Sequence, residues 1–330
     1  MPGSDQLFLC RPKLRWIMIT VFGSINLDLV FNVSKLPGPG ETVLCPDYFK
    51  AAGGKGLNQA VAAARARPSK DLSINMVGRA GKDEFGDIAL TALEGAGVNI
   101  KNIRRGPEPT ACAAVSVDAK AENQIVVASG ANTMLKDDDL PDKLLTPETV
   151  LVLQMEIPLE ANCKIIQRAK QRGVRVLLNL APAAPFPGDI ISLLDLLVVN
   201  EVEAKMMANH NDLDTSSSRA AASAIAGKFS VPTIVSLGAQ GAHAFSNNEE
   251  WQIDALPITP VDTVGAGDSF VGNLAVGMAL NNSLAQMLHS ASVAAGLACL
   301  TQGAATSMPA YMEVEERLGD LPSAQKVSRL

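Results

Sequence analysis

Short runs of aliphatic and β-branched residues alternate along this chain with longer stretches whose apolar positions recur every three to four residues. The short runs predict strands at Ile17–Phe22, Ser73–Val77, Val150–Leu153, Val174–Leu178, Leu196–Val199 and Thr233–Leu237. The longer ones predict helices at Lys55–Arg65, Glu84–Glu94, Leu159–Arg172, Ser216–Phe229, Ala266–Leu280 and Ser283–Thr301. Strands alternating with helices imply βαβ units, and so a doubly wound, mostly parallel α/β sheet flanked by helices. Leu196-Leu197-Val198-Val199 is apolar at every position, as a strand covered on both faces requires. In such folds ligands sit beyond the carboxyl ends of the strands.

Two stretches leave this rhythm. Phe31–Ala52 carries Pro37-Gly38-Pro39-Gly40 between short β-prone pieces. Ala111–Asp118 and Gln124–Ala128 read as a hairpin around Ala119–Asn123. Together they predict a small β-sheet lid, inserted at about 31–52 and 111–128 and placed over a site at the edge of the main sheet. A plain surface insertion is the alternative. The lid alone would expose an apolar face and a free edge, which a second copy in a two-fold dimer would cover. Residues 1–16 lack the layout of a signal peptide and read as a dispensable N-terminal extension. The main domain would then occupy 17–310, followed by a helix or tail at 311–330.

Composition narrows the function. Of 330 residues, 47% are hydrophobic and 19% charged, enough apolar material for a sizeable core. The net charge of −6, with no basic block, argues against nucleic acid as a partner. The apolar runs are too short or too interrupted to span a bilayer. Cys10, Cys45, Cys112, Cys163 and Cys299 are scattered, with no C-x-x-C pair, which suits reduced thiols in a cytoplasmic protein. His210, His243 and His289 are equally isolated and read as structural.

Asp262-Thr263-Val264-Gly265-Ala266-Gly267-Asp268-Ser269-Phe270 carries the most chemistry. Bare amides at a helix start attract anions, through unpaired N–H groups and the helix dipole. Asp268 would repel a phosphate, yet it suits a base that takes a proton from the hydroxyl attacking that phosphate. A glycine-rich turn with an acidic first-turn residue is the plain alternative. Gly54-Lys55 is not a P-loop, because Phe49 stands where the first glycine belongs; no dinucleotide fingerprint, G-x-S-x-G or H-E-x-x-H occurs either. The other polar clusters follow predicted strands. Asn26 and Asp28, two apart on extended chain, point the same way and suit hydroxyls, or an Asx turn. Gly54, Lys55 and Asn58 open a helix, with the last two on one face. Glu156 ends a strand. Asn200 and Glu203 suit either a hydrated Mg²⁺ or a helix cap. Ser236, Gly238 and Gly241 form a glycine turn suited to nucleotide phosphates. A hydroxyl-binding cluster near the N-terminus and a phosphate-binding cluster near the C-terminus point to phosphoryl transfer onto a polyol.

From about Ile19 to Pro309 the chain resembles the ribokinase (PfkB) carbohydrate kinase family. The resemblance is carried by Gly23–Asp28, Pro39-Gly40-Glu41-Thr42, Gly53–Ala60, Met155-Glu156, Asn179–Ala183, Asn200–Ala204 and Asp262–Phe270. It implies a ribokinase-like fold and ATP-dependent phosphorylation of D-ribose at the 5-hydroxyl, by a homodimer joined through its lids. Asn26, Asp28, Gly54, Lys55, Asn58 and Glu156 would then bind the sugar. Asp268 would be the base, and Gly265, Ala266 and Gly267 the anion hole. Asn200 and Glu203 would organise Mg²⁺ through water. Asn200, Ser236, Gly238, Gly241, Gly267 and Ser292 would bind ATP. Asp262, the carbonyls of Val264, Ala298 and Gly303, and Ser307 would hold K⁺. Leu57 stands where the family often has alanine. A nucleoside or other-sugar kinase is the near alternative; aromatic content of 4% gives little to hold a base. A non-catalytic sugar sensor is the more distant one.

Overall fold

The structure, a computed structural model, describes residues 17–118, 122–246 and 248–327. β1 (Met18–Phe22) leads into β2 (Asn26–Asn32), β3 (Tyr48–Gly53) and α1 (Lys55–Ala66). Next come β4 (Ser73–Gly81), α2 (Glu84–Gly95), β5 (Asn99–Gly106), and a hairpin of β6 (Ala111–Val117) and β7 (Asn123–Ala128). β8 (Thr149–Leu153), α3 (Leu159–Gln171), β9 (Arg175–Asn179), α4 (Gly188–Ile191), β10 (Leu196–Asn200) and α5 (Glu201–His210) continue the βα rhythm. α6 (Ser218–Phe229), β11 (Thr233–Ser236), β12 (Ala242–Ser246) and β13 (Glu249–Ile253) precede α7 (Ala266–Ala279) and α8 (Leu284–Ala298). α9 (Tyr311–Arg317) and β14 (Gln325–Val327) close the described chain.

Ten strands form the main sheet in the order β14-β13-β12-β11-β10-β9-β8-β1-β4-β5. Pairing is parallel from β5 through β11 and antiparallel from β11 to β14. Alternation along each strand divides the core in two. Ile19, Val21, Val150 and Val152 face one cluster with α1, α7 and α8, whereas Phe22, Leu151 and Leu153 face another with α3, α5 and α6. The six predicted strands are all present; five end within a residue or so of their expected bounds, and β4 runs four residues beyond Val77, to Gly81. β5, β12, β13 and β14 were not anticipated. β14 ties the described part of the tail into the main sheet.

The second sheet, β3-β2-β6-β7, is the anticipated lid. It starts earlier than expected, at Asn26, so the residues read as a strand-end cluster are themselves the root of a lid strand. β2 runs antiparallel to β3 and parallel to β6, and β6 pairs with β7 as the expected hairpin. The turn expected at 119–123 falls mostly outside the described residues, as does the extension at 1–16.

Candidate active site

The buried helix α7 delivers Asp268. Its N-cap, Gly265, is left-handed at φ 81°, and every residue from Asp268 to Ala279 is buried. α7 crosses α1 at close range. A Cβ added at Gly272 would lie 2.4 Å from the Ala62 Cβ and 3.0 Å from the Gln59 carbonyl, so only glycine permits the crossing. That contact brings two amides to the carboxylate. Asn58 Nδ2 donates to Asp268 Oδ2 and Gln59 Nε2 to Oδ1, both at 2.9 Å. Asp268 is 7% exposed. Burial pushes its carboxyl up; Lys55 and the two amides pull down without offsetting burial, and Glu156 adds to the rise.

Lys55 opens α1 behind Gly54, whose φ of 90° and 2.9 Å Cβ clearance to Asn26 N demand glycine. Burial would lower the Lys55 ammonium, but Asp268, Glu156 and Glu203 outweigh it, and its pKa is raised. Glu156 accepts from Ser24 Oγ at 2.6 Å and from the Lys55 main-chain N–H at 2.9 Å. Ser24 Oγ in turn accepts from Gly56 N–H at 3.1 Å. The β1 end, the α1 start and the β8 end are thus joined.

Asn26 and Asp28 share one face of β2, as their spacing predicts. Burial, then the negative charges of Glu156 and Asp268, push Asp28 up to about 6. Asp28 therefore feels Glu156 and Asp268, two of the three carboxylates that act on Lys55.

A cavity of about 160 Å³ joins Lys55 and Asp268 to the phosphate-side cluster, whereas Asn26, Asp28, Asn58 and Glu156 do not line it. Its walls include Lys55, Asn200, Glu203, Ser236, Gly265, Gly267 and Asp268. A larger hollow of about 240 Å³ beside Ser230 and Phe245 holds none of the predicted residues; the smaller one is where the chemistry converges. Asn200 and Glu203 form a capping box on α5: Asn200 N–H and Nδ2 donate to Glu203 at 2.7 and 2.9 Å, and Glu203 N–H donates to Asn200 Oδ1 at 2.9 Å. The capping alternative is thus realised, at the wall of the cavity. Burial pushes Glu203 up despite the Asn200 N–H bond and Lys55. With both oxygens already bonded, Glu203 suits a hydrated cation better than a directly ligated one. No cluster of three or more histidine, cysteine or carboxylate groups fit to hold a metal occurs among the described residues.

Gly238 and Gly241 flank a single 3₁₀ turn after Ser236, with φ of 55° and 84°. Asp262 straps two loops: Oδ1 accepts from Val264 N–H and Oδ2 from Gly303 N–H, each at 2.9 Å. Ser307 is buried and donates to the Ala304 carbonyl at 2.9 Å. Ala298 ends α8 beside these loops. Ser292 is buried within α8 and does not line the cavity. Ser24, Gln59 and Asn132 were missed as site residues. Gln59 stood in the Gly-rich segment, one position beyond Asn58. Asn132 had no local signal.

Comparison with known proteins agrees with this fold. The profile described as pfkB family carbohydrate kinase matches residues 17–311. The chain is 36% identical to a ribokinase from Schizosaccharomyces pombe, over 91% of this chain and 97% of the relative. It superposes on the Thermotoga maritima ribokinase with a TM-score of 0.85 at 30% identity, covering 92% and 99% of the two chains. It superposes on the Arabidopsis thaliana ribokinase complexed with ribose and ATP with a TM-score of 0.82 at 31% identity, covering 92% and 98%. A Gly-Ala-Gly helix start with a buried aspartate, a lid rooted in the sugar-side residues and near-complete coverage by these relatives lead to one conclusion: the chain belongs to the pfkB family of carbohydrate kinases.

Proposed function

We propose that this enzyme transfers the γ-phosphoryl group of ATP to the 5-hydroxyl of D-ribose, with Asp268 as the base. The observation that supports it best is the single cleft in which Asp268, Lys55 and the helix start at Gly265–Gly267 meet the phosphate-side wall of Asn200, Glu203 and Ser236. Asp28 and Asn26 grip hydroxyls from the lid side. Lys55, at the centre of three carboxylates, carries positive charge toward the transferring group. Asn58 and Gln59 hold the Asp268 carboxylate to one orientation, so that it takes the hydroxyl proton as the oxygen attacks. The amides of Gly265 and Gly267, which line the cleft, would face the phosphoryl oxygens, whereas the expected third donor, Ala266 N–H, is turned to the Thr263 carbonyl at 3.3 Å. Asn200 and Glu203 would hold Mg²⁺ through water, and the ion would neutralise phosphate charge. Ser236, Gly238 and Gly241 would follow the nucleotide phosphates.

A K⁺ ion would sit where Asp262 straps the Val264 and Gly303 loops, with the carbonyls of Val264, Ala298 and Gly303, and Ser307, as further ligands. It would stiffen the loop that presents the anion-binding amides. Two copies would pair through their lids, because Tyr48, Ile125, Val126 and Val127 are each more than half exposed in the single chain. No helix of the described residues is long and apolar enough to cross a membrane, and four described cysteines are free thiols, which fits a cytoplasmic setting.

ADP release measured across ribose, 2-deoxyribose, fructose, glucose and adenosine tests the substrate. The highest kcat/KM is expected with ribose. A preference for adenosine, or no turnover of any sugar, overturns the reading.

A further inference from the structure

We propose that Asn132 is a positioning residue that fixes which end of the Asn26 amide faces the sugar, so that Asn26 donates and never accepts there. This rests on the sugar-side placement of Asn26 given above.

Proton donors set the direction of a buried relay from Ile25 through Asn132 to Asn26. The Ile25 main-chain N–H points at the Asn132 side chain, 3.0 Å away. An N–H can only donate, so the Asn132 atom it meets is the oxygen Oδ1. The Asn132 amide nitrogen is then the end that faces Asn26, at 2.8 Å. An amide NH₂ has no lone pair to offer, so Asn26 must present its own oxygen. The Asn26 nitrogen is thereby left for a ligand. Asn132 is 2% exposed and Asn26 4%, so water does not readily substitute for either partner.

The origin of the relay is rigid. Asn132 lies on a 3₁₀ turn, Gly130–Met134, directly after the lid strand β7. Ala131 N–H donates to the Pro109 carbonyl at 2.8 Å. A Cβ at Gly130, where φ is 43°, would fall 2.4 Å from that same carbonyl. Both ends of the lid hairpin therefore meet at this turn. Two residues along the same face of β2, Asp28 supplies an acceptor. The pair offers one donor and one acceptor side by side, which matches two sugar hydroxyls, one accepting and one donating.

Asn132→Asp tests the relay. Its carboxylate still accepts from Ile25, but its second oxygen then opposes Asn26 Oδ1, and the Asn26 amide turns round. The ribose KM should rise about tenfold, while kcat and the ATP KM stay within about twofold. Singly deoxygenated riboses give the readout that general loosening would not move. In the parent enzyme, removing the hydroxyl that accepts from Asn26 should cost about tenfold in KM; in Asn132→Asp that penalty should shrink to about twofold. An unchanged ribose KM, or an unchanged deoxy penalty, overturns the proposal. If Asn132→Asp is insoluble, Asn132→Ala replaces it: the freed Asn26 amide should raise the ribose KM about threefold and lose the same penalty. Should the parent prefer another sugar, the functional reading falls, while the same comparison runs on that sugar and its deoxy analogues.

Discussion

Asp28→Asn should make the enzyme more stable and a poorer binder of ribose. Burial and the charges of Glu156 and Asp268 raise the Asp28 carboxyl from 3.8 to about 6. A carboxyl with a higher pKa in the folded state holds its proton more tightly when folded, so its ionisation destabilises the fold. The cost is nil below pH 3.8, accumulates between pH 3.8 and about 6, and is constant above. A shift of about two units corresponds to about 3 kcal/mol, and some residual contact with water trims this to about 2 kcal/mol. Asparagine, which does not ionise, escapes the cost. For a chain of this size about 2 kcal/mol corresponds to a rise in Tm of about 3 °C. Calorimetry of parent and variant without ligands is the assay. The gain should be complete at pH 8 and about half as large at pH 5. In the same variant the ribose KM should rise about tenfold or more, because a charge-assisted hydrogen bond is lost, and the ATP KM should not move. A Tm gain that is absent, or equal at both pH values, refutes the electrostatic reasoning. An unchanged ribose KM refutes the placement of Asp28 beside the sugar.

Three further outcomes follow from the site. Gln59→Leu removes a donor from the buried Asp268 carboxylate; kcat should fall about tenfold and the acid limb of its pH profile should move to higher pH, and a static limb counts against Gln59 tuning the base. Activity should rise in K⁺ relative to Na⁺ or a bulky organic cation at equal ionic strength, and a flat response across cations removes the Asp262 site. Light scattering at micromolar concentration should give twice the 34.6 kDa chain mass, and a fully active monomer under those conditions sinks the lid-to-lid dimer.

Buried strands were legible because burial on both faces leaves an unbroken apolar run, as in Leu196–Val199. The strands at and near the two ends of the main sheet were not. β5 reads Asn-Ile-Lys-Asn-Ile-Arg-Arg-Gly and β13 Glu-Glu-Trp-Gln-Ile. Their polar residues break the apolar pattern, even where one of them, Glu250, is buried against Arg219 and His243, and it is a neighbouring strand's hydrogen bonds that make them strands. β14 is three residues long and exists by pairing with β13. The site was legible where its chemistry is local: Gly265–Asp268 and Gly53–Asn58 each announce a helix start with bare backbone. The Asn200–Glu203 spacing fitted both a cap and a cation site, and sequence alone did not separate them. Asn132 was invisible because its partners lie more than 100 positions away, at Ile25 and Asn26. Spacing reports a residue's neighbours along the chain, whereas this amide acts through the return of the lid hairpin.

The central claim is that Asp268 takes the proton from the 5-hydroxyl of ribose. Asp268→Asn is its most direct test, with turnover followed as ribose 5-phosphate formed and ribose and ATP binding followed by titration calorimetry. The amide fills the same space but cannot accept the proton. kcat should fall about 10²–10⁴-fold, with both ligands still bound at affinities within about threefold of the parent. Turnover within about tenfold of the parent, with binding intact, would contradict it.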